Sequence, residues 1–194
     1  AMAGVALGQA VFTFSAPPVI VHFFTKVKDR SCLVGNGFAL VLSALVLAAA
    51  LVAFFYWRGW LGEWKIDGFS LFLMMLLMAL QTVNSMLEAI LLGARNYKVF
   101  NFLKIVVPVV LLASVLVVLR TGDGWRDALS MSCAAALTAT PWYVFFSLKE
   151  LGGVRFRVGA EVFDTYLKYG LHIWSSNLVT MALYRTPLFI VEHL

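Results

Sequence analysis

The stretch SLFLMMLLMALQTVNSMLEAILLGARNYKVFN, Ser70 to Asn101, decides how the rest of the chain is read. Its first part is too apolar for a soluble helix: between Asp67 and Arg95 the one charged residue is Glu88. A bilayer core takes about 20 mostly apolar helical residues, and this run supplies them. Inside it lie Gln81, Asn84, Ser85 and Glu88, which at about 100° per residue share an arc of roughly 100°. Met74, Leu77 and Met78 continue that face. Such a stripe is costly to turn toward lipid, so it is expected to face a bundle interior or a wet cavity. The run ends in a basic turn, Gly93-Ala94-Arg95-Asn96-Tyr97-Lys98, before the chain becomes apolar again. The spacing predicts a hairpin of two membrane helices with a polar inner face and a basic end.

Composition agrees. Of 194 residues, 62% are hydrophobic and 13% charged, against about 45–50% apolar and 25% charged in soluble domains. The expected class is an all-α, polytopic transmembrane helix bundle. The net charge of +5 sits in short loops, so it reads as membrane topology and not as a nucleic-acid surface. The chain opens inside an apolar run without a polar leader and stops just after a helix, so a fragment of a longer protein is expected. Cys32 and Cys133 fall near opposite membrane faces and are expected to be unpaired packing residues.

Six spans are predicted. The first covers about Ala1 to Phe24, interrupted by Pro17-Pro18, whose freed carbonyls need other partners. After the basic loop Lys26 to Arg30, the second runs from Ser31 to Trp57. Gly35, Gly37 and the Ala48–Ala50 run on it permit close helix contact. Trp57, Trp60 and Trp64, around Arg58 and Lys65, read as an interfacial aromatic belt. The third span is Gly68 to Leu92 and the fourth Asn101 to Leu119, with Lys104 near its start and Pro108 inside. A short polar turn, Thr121 to Gly124, leads to the fifth, Ala128 to Leu148, with Pro141-Trp142 inside. Residues 149–164 are expected to be a cytoplasmic linker with a short amphipathic helix at the interface. The sixth span, Thr165 to Val191, carries Arg185 and then Pro187. The first, third and fifth connections hold ten Lys/Arg and the other two hold four. The positive-inside rule therefore makes the first, third and fifth cytoplasmic. The first span then starts outside, which calls for an odd number of helices before it.

Little in the sequence points to catalysis. His22, His172 and His193 are isolated, neither cysteine has a metal-ligand spacing, and no glycine-rich phosphate loop follows a strand. No metal, cofactor or nucleic acid is expected, and an enzyme is not the expected class. Two charges within spans stand out. Glu88 lies about two turns inside the cytoplasmic end of the third span. It can pair with Lys104 on the next helix, or serve as a cavity group that holds a proton or touches substrate. Arg185 can snorkel to the outer headgroups or present a cation in a cavity. Gln81 and Asn84 lie deeper, where helix–helix hydrogen bonding explains them as well as substrate contact does.

Leu91 to Asn101 resembles the basic turn between the fourth and fifth helices of polysaccharide (O-antigen type) flippases of the multidrug/oligosaccharidyl-lipid/polysaccharide exporter superfamily. Tyr166 to Leu171, followed by Ser175-Ser176-Asn177-Leu178, resembles the start of their seventh helix, and Leu183-Tyr184-Arg185 its later section. The chain departs from the family at His172, where members commonly have Pro, and at Thr186-Pro187, where many have Asp after the Arg. The resemblance covers the chain as about helices two to seven of a two-lobe transporter. It implies residues 1–148 as part of the first lobe, 149–164 as the inter-lobe linker and 165–194 as the first helix of the second lobe. It further implies alternating access that flips polyprenyl-diphosphate-linked glycans across the bacterial inner membrane, with a proton or a sodium ion as candidate coupling ion. Gln81, Asn84, Glu88 and Arg185 are the cavity residues expected on that reading. Its alternatives are a drug or lipid-precursor exporter of the same superfamily, a membrane-embedded cell-envelope polymerase or acyltransferase, and an assembly scaffold.

Overall fold

The computed structural model describes residues 15–59, 67–121, 125–152, 157–177 and 179–180. Their regular elements are all helices, with no strand among the described residues: α1 (Ala16–Phe23), α2 (Arg30–Trp57), α3 (Gly68–Gly93), α4 (Tyr97–Thr121), α5 (Trp125–Glu150) and α6 (Ala160–Thr165). α6 runs directly into a π-helical turn, Tyr166–Gly170, and residues 171–177 continue as helix. Among the described residues, three helices, Arg30–Trp57, Gly68–Gly93 and Arg126–Glu150, are long and apolar enough to cross a membrane.

The helix starts follow from local chemistry. The Asp29 carboxylate accepts from the Cys32 amide at 3.0 Å, and that of Asp67 from the Ser70 amide at 3.3 Å. Each cap satisfies an amide that the first turn leaves without a partner. The Ser70 hydroxyl also donates to Asp67, and this bond is the main reason its carboxyl is held below the usual carboxylate range. Pro17 and Pro18 lie at the start of the described helix α1. They occupy the first turn of α1, behind Ser15 in a left-handed conformation (φ 52°), where a missing N–H breaks no helical bond. Residues 1–14 of the first predicted span, and most of the sixth, lie outside the described residues.

The α3–α4 turn is tighter than the basic run suggested. Arg95 takes the left-handed conformation (φ 60°). The Asn96 amide donates to the Leu91 carbonyl (2.9 Å) and the Arg95 amide to that of Leu92 (3.0 Å), a Schellman closure. Asn96 then caps α4 by accepting from the Val99 amide at 3.3 Å. Tyr97 and Lys98 therefore belong to α4 and not to a loop. Gly93 serves packing: a Cβ there would lie 2.6 Å from that of Phe24.

α3 is the central helix and touches α1, α2, α4 and α5. One apolar cluster joins Ile20, Phe24, Leu33, Ile90, Leu103 and Tyr166. A second, nearer the start of α3, joins Ala48, Leu73, Leu77, Met78, Leu129 and Cys133. Cys32 and Cys133 are free, and the buried Cys133 thiol points at the Leu73 carbonyl at 3.3 Å. Away from α3, α2 exposes Leu42, Val46, Leu47 and Leu51, and α4 exposes Ile105, Val109, Leu112 and Leu116. Apolar faces this long are rare on soluble monomers.

Residues 157–170 are docked against α1 and α2. The Asn36 side chain pairs with the Gly159 backbone through both atoms: Nδ2 donates to the Gly159 carbonyl (2.8 Å) and Oδ1 accepts from the Gly159 amide (3.0 Å). Gly35 lies against the Arg157 carbonyl, and Gly37 against the Tyr166 hydroxyl and Met86. Tyr166, fully buried, donates to the Leu33 carbonyl at 2.8 Å. The close approach expected at Gly35 and Gly37 is therefore made by this later segment. The helix leading into the sixth predicted span starts at Ala160, earlier than Thr165.

Candidate functional site

The polar stripe of α3 meets α4 on one side and α5 on the other. Glu88 uses both carboxylate oxygens: Oε2 lies 2.7 Å from Lys104 Nζ on α4, and Oε1 accepts from the Tyr143 hydroxyl on α5 at 2.8 Å. One turn earlier, Asn84 Oδ1 lies 2.9 Å from Thr140 Oγ1, which is also 2.8 Å from the Ala136 carbonyl. A hydroxyl has one proton to share between these two acceptors. Near the α3 end, Ser147 donates to the Leu87 carbonyl at 3.1 Å. Thus α5 answers the α3 stripe with its own row, Ser132, Ala136, Thr140, Tyr143 and Ser147, at three- and four-residue spacing.

Two clefts open from this cluster. The first, of about 410 Å³, is lined by Gln81, Asn84, Glu88, Lys104, Ser132 and Tyr143 among others. The second, of about 550 Å³, is lined by Pro17, Pro18, His22, Glu88, Lys104 and Tyr169 among others. Ser85, Glu88 and Lys104 line both, so the ion pair is a shared wall. It is partly wet: the Lys104 side chain is 49% exposed and that of Glu88 20%. The Lys104 ammonium also stands 5.6 Å from the centre of the Phe100 ring, within cation–π range.

His22 contacts Lys26 and Tyr169. Its Nε2 lies 2.8 Å from Lys26 Nζ, and its ring stacks on Tyr169 at 4.9 Å between centroids, 18° from parallel. Tyr169 sits in the π-helical turn, and single π turns within α-helices recur at functional sites.

Of the sequence-predicted residues, Gln81, Asn84 and Glu88 come together at one cleft, and Arg185 lies outside the described residues. The sequence reading missed Tyr143, Thr140, His22 and Tyr169. The first two had a signal, since they continue the α5 row of small and polar residues. His22 and Tyr169 had none, because only the docking of residues 157–170 brings them together. No group of His, Cys, Asp and Glu suited to a metal occurs among the described residues. What the site offers is a carboxylate shared by an ammonium on one helix and a phenol on another. Relative motion of α4 and α5 would exchange those partners for water or for a polar ligand. The chain matches no family model, no curated protein and no solved structure.

Proposed function

We propose that this chain is part of a multi-pass flippase of the bacterial inner membrane that moves polyprenyl-diphosphate-linked glycans by alternating access. One observation carries the reading: a Glu88–Lys104–Tyr143 cluster forms the wall between two clefts, inside helices that are otherwise apolar. Ionisable residues at such positions mark substrate or ion pathways. The glycan diphosphate is expected to use the polar cleft while its polyprenyl tail stays in lipid, and Glu88 is the group available for proton or sodium coupling. The apolar flanks of α2 and α4 support a membrane surface on the outside of the bundle. Six spans, the lobe boundaries at 1–148, 149–164 and 165–194, and a cavity role for Arg185 are parts of the same proposal.

The test is depletion of the full-length protein in cells that make a surface glycan. Lipid-linked glycan is expected to accumulate on the cytoplasmic face of the inner membrane, and to clear when the protein is restored. Accumulation on the outer face would point to a polymerase or a later acceptor step. No change in the glycan, with altered drug resistance, would favour a drug exporter.

A further inference from the structure

The seam between α4 and α5 forms a separate groove of about 230 Å³. Phe102, Val106 and Val110 of α4 face Thr138, Ala139 and Trp142 of α5 across it. The Thr138 hydroxyl is turned back to the Ala135 carbonyl at 2.8 Å, so the wall offers hydrocarbon contact. Phe102 and Trp142, both more than half exposed, stand at its mouth. From Phe102 to Val110 the helix rises about 12 Å, close to the depth of one leaflet of a hydrocarbon core about 30 Å thick.

One end of this groove is basic. Lys98 lies one turn before Phe102 on α4, and Lys149 two turns after Trp142 on α5, both on the groove's side by helical spacing. Both are exposed. The two helix ends are held side by side, because Asn96 Nδ2 donates to Glu150 Oε1 at 2.7 Å. Asn96 is neutral, so the Glu150 carboxylate keeps its charge at this end of the seam. Neither lysine is in an ion pair among the described residues.

We propose that the α4–α5 seam is a binding site for an anionic phospholipid, with one acyl chain in the groove and the phosphate between Lys98 and Lys149. Charge complementarity decides the occupant: hydrocarbon walls take the chain, and two cations at the headgroup level take the phosphate. The site shares Val107 with one Glu88 cleft and none of that cleft's polar residues. It rests on the membrane placement of α4 and α5 and not on the transport reaction.

Full-length protein extracted into mild detergent micelles is titrated with phosphatidylglycerol, and separately with phosphatidylcholine carrying the same chains, and read by native mass spectrometry. One phosphatidylglycerol is expected, with preference over phosphatidylcholine of up to about 30-fold for two lysines. Lys98→Gln with Lys149→Gln is expected to level the two lipids. Val106→Trp, which fills the groove from a partly exposed position, is expected to weaken both. Val110→Trp replaces it if that variant loses its monodisperse elution. Equal binding of the two lipids by the unaltered protein, unchanged preference in the lysine variant, or displacement by inorganic phosphate alone would overturn the proposal. A protein that stays soluble without detergent would instead overturn the membrane placement.

Discussion

Glu88→Gln removes one charge and keeps the length of the side chain. Tyr143 keeps an oxygen to donate to, while Lys104 loses its anion. Two limits bound the cost. Exposed ion pairs contribute about 0.2–1 kcal/mol, whereas removing one partner of a buried pair costs about 3–5 kcal/mol. With Lys104 half exposed, Glu88 one-fifth exposed and a cleft on either side, the pair stands nearer the first limit, at about 1 kcal/mol. Glu88→Ala should cost more, because the Tyr143 hydroxyl, on a residue only 2% exposed, loses its acceptor. An unsatisfied buried donor adds about 1–3 kcal/mol, which brings the Ala variant to about 2–4 kcal/mol. The assay is a double-mutant cycle of Glu88→Gln and Lys104→Gln on full-length protein in micelles, followed by denaturant unfolding. A coupling of about 1 kcal/mol is expected. Additivity within about 0.3 kcal/mol, or Glu88→Ala no worse than Glu88→Gln, would refute the pairing.

Three further outcomes follow from the packing. Gly93→Ala places a methyl against Phe24 and should destabilise by about 1–3 kcal/mol through overpacking; Phe24→Leu in the same chain should recover part of the loss in melting temperature. Arg95→Gly relieves a left-handed non-glycine residue and should stabilise by about 1 kcal/mol in the same unfolding assay; a loss of stability would mean that the Arg95 side chain makes a contact worth more than the backbone strain. Asn36→Ala removes both hydrogen bonds to Gly159, so amide exchange at residues 157–160 should rise by at least tenfold, each bond being worth about 1 kcal/mol, while exchange in the centre of α3 stays unchanged.

The sequence was most informative where one helix could be read alone. Length and apolarity placed α2 and α3 to within a residue or two, and the polar stripe located Asn84 and Glu88 on the face that packs against neighbours. Lys104 was found as a partner because it is a lone cation on the next helix. Tyr143 and Thr140 were passed over although they continue the α5 row of small and polar residues, because an aromatic and a hydroxyl inside an apolar run look like core until the facing helix is known. Asn36 is a sharper case: its partner is a backbone amide more than a hundred residues away, and no side-chain pattern marks that position. Charge also misled at Tyr97 and Lys98. Basic residues were counted as loop, but the left-handed Arg95 completes the turn sooner, and the first helical turn of α4 accepts them.

The central claim is that the Glu88–Lys104 wall lies on the transport path. Its most direct test uses vesicles reconstituted with full-length protein and a fluorescent polyprenyl-diphosphate oligosaccharide, in which label on the inner leaflet is protected from an impermeant quencher. Flipping is expected with the unaltered protein. It should be severely reduced by Glu88→Ala, and by Arg185→Ala more than by Arg185→Lys, which keeps the charge but loses the planar fork suited to phosphate. Equal amounts of folded protein in each vesicle preparation are required. Normal flipping by both Glu88→Ala and Arg185→Ala would contradict the claim and leave the α3-centred bundle as it stands.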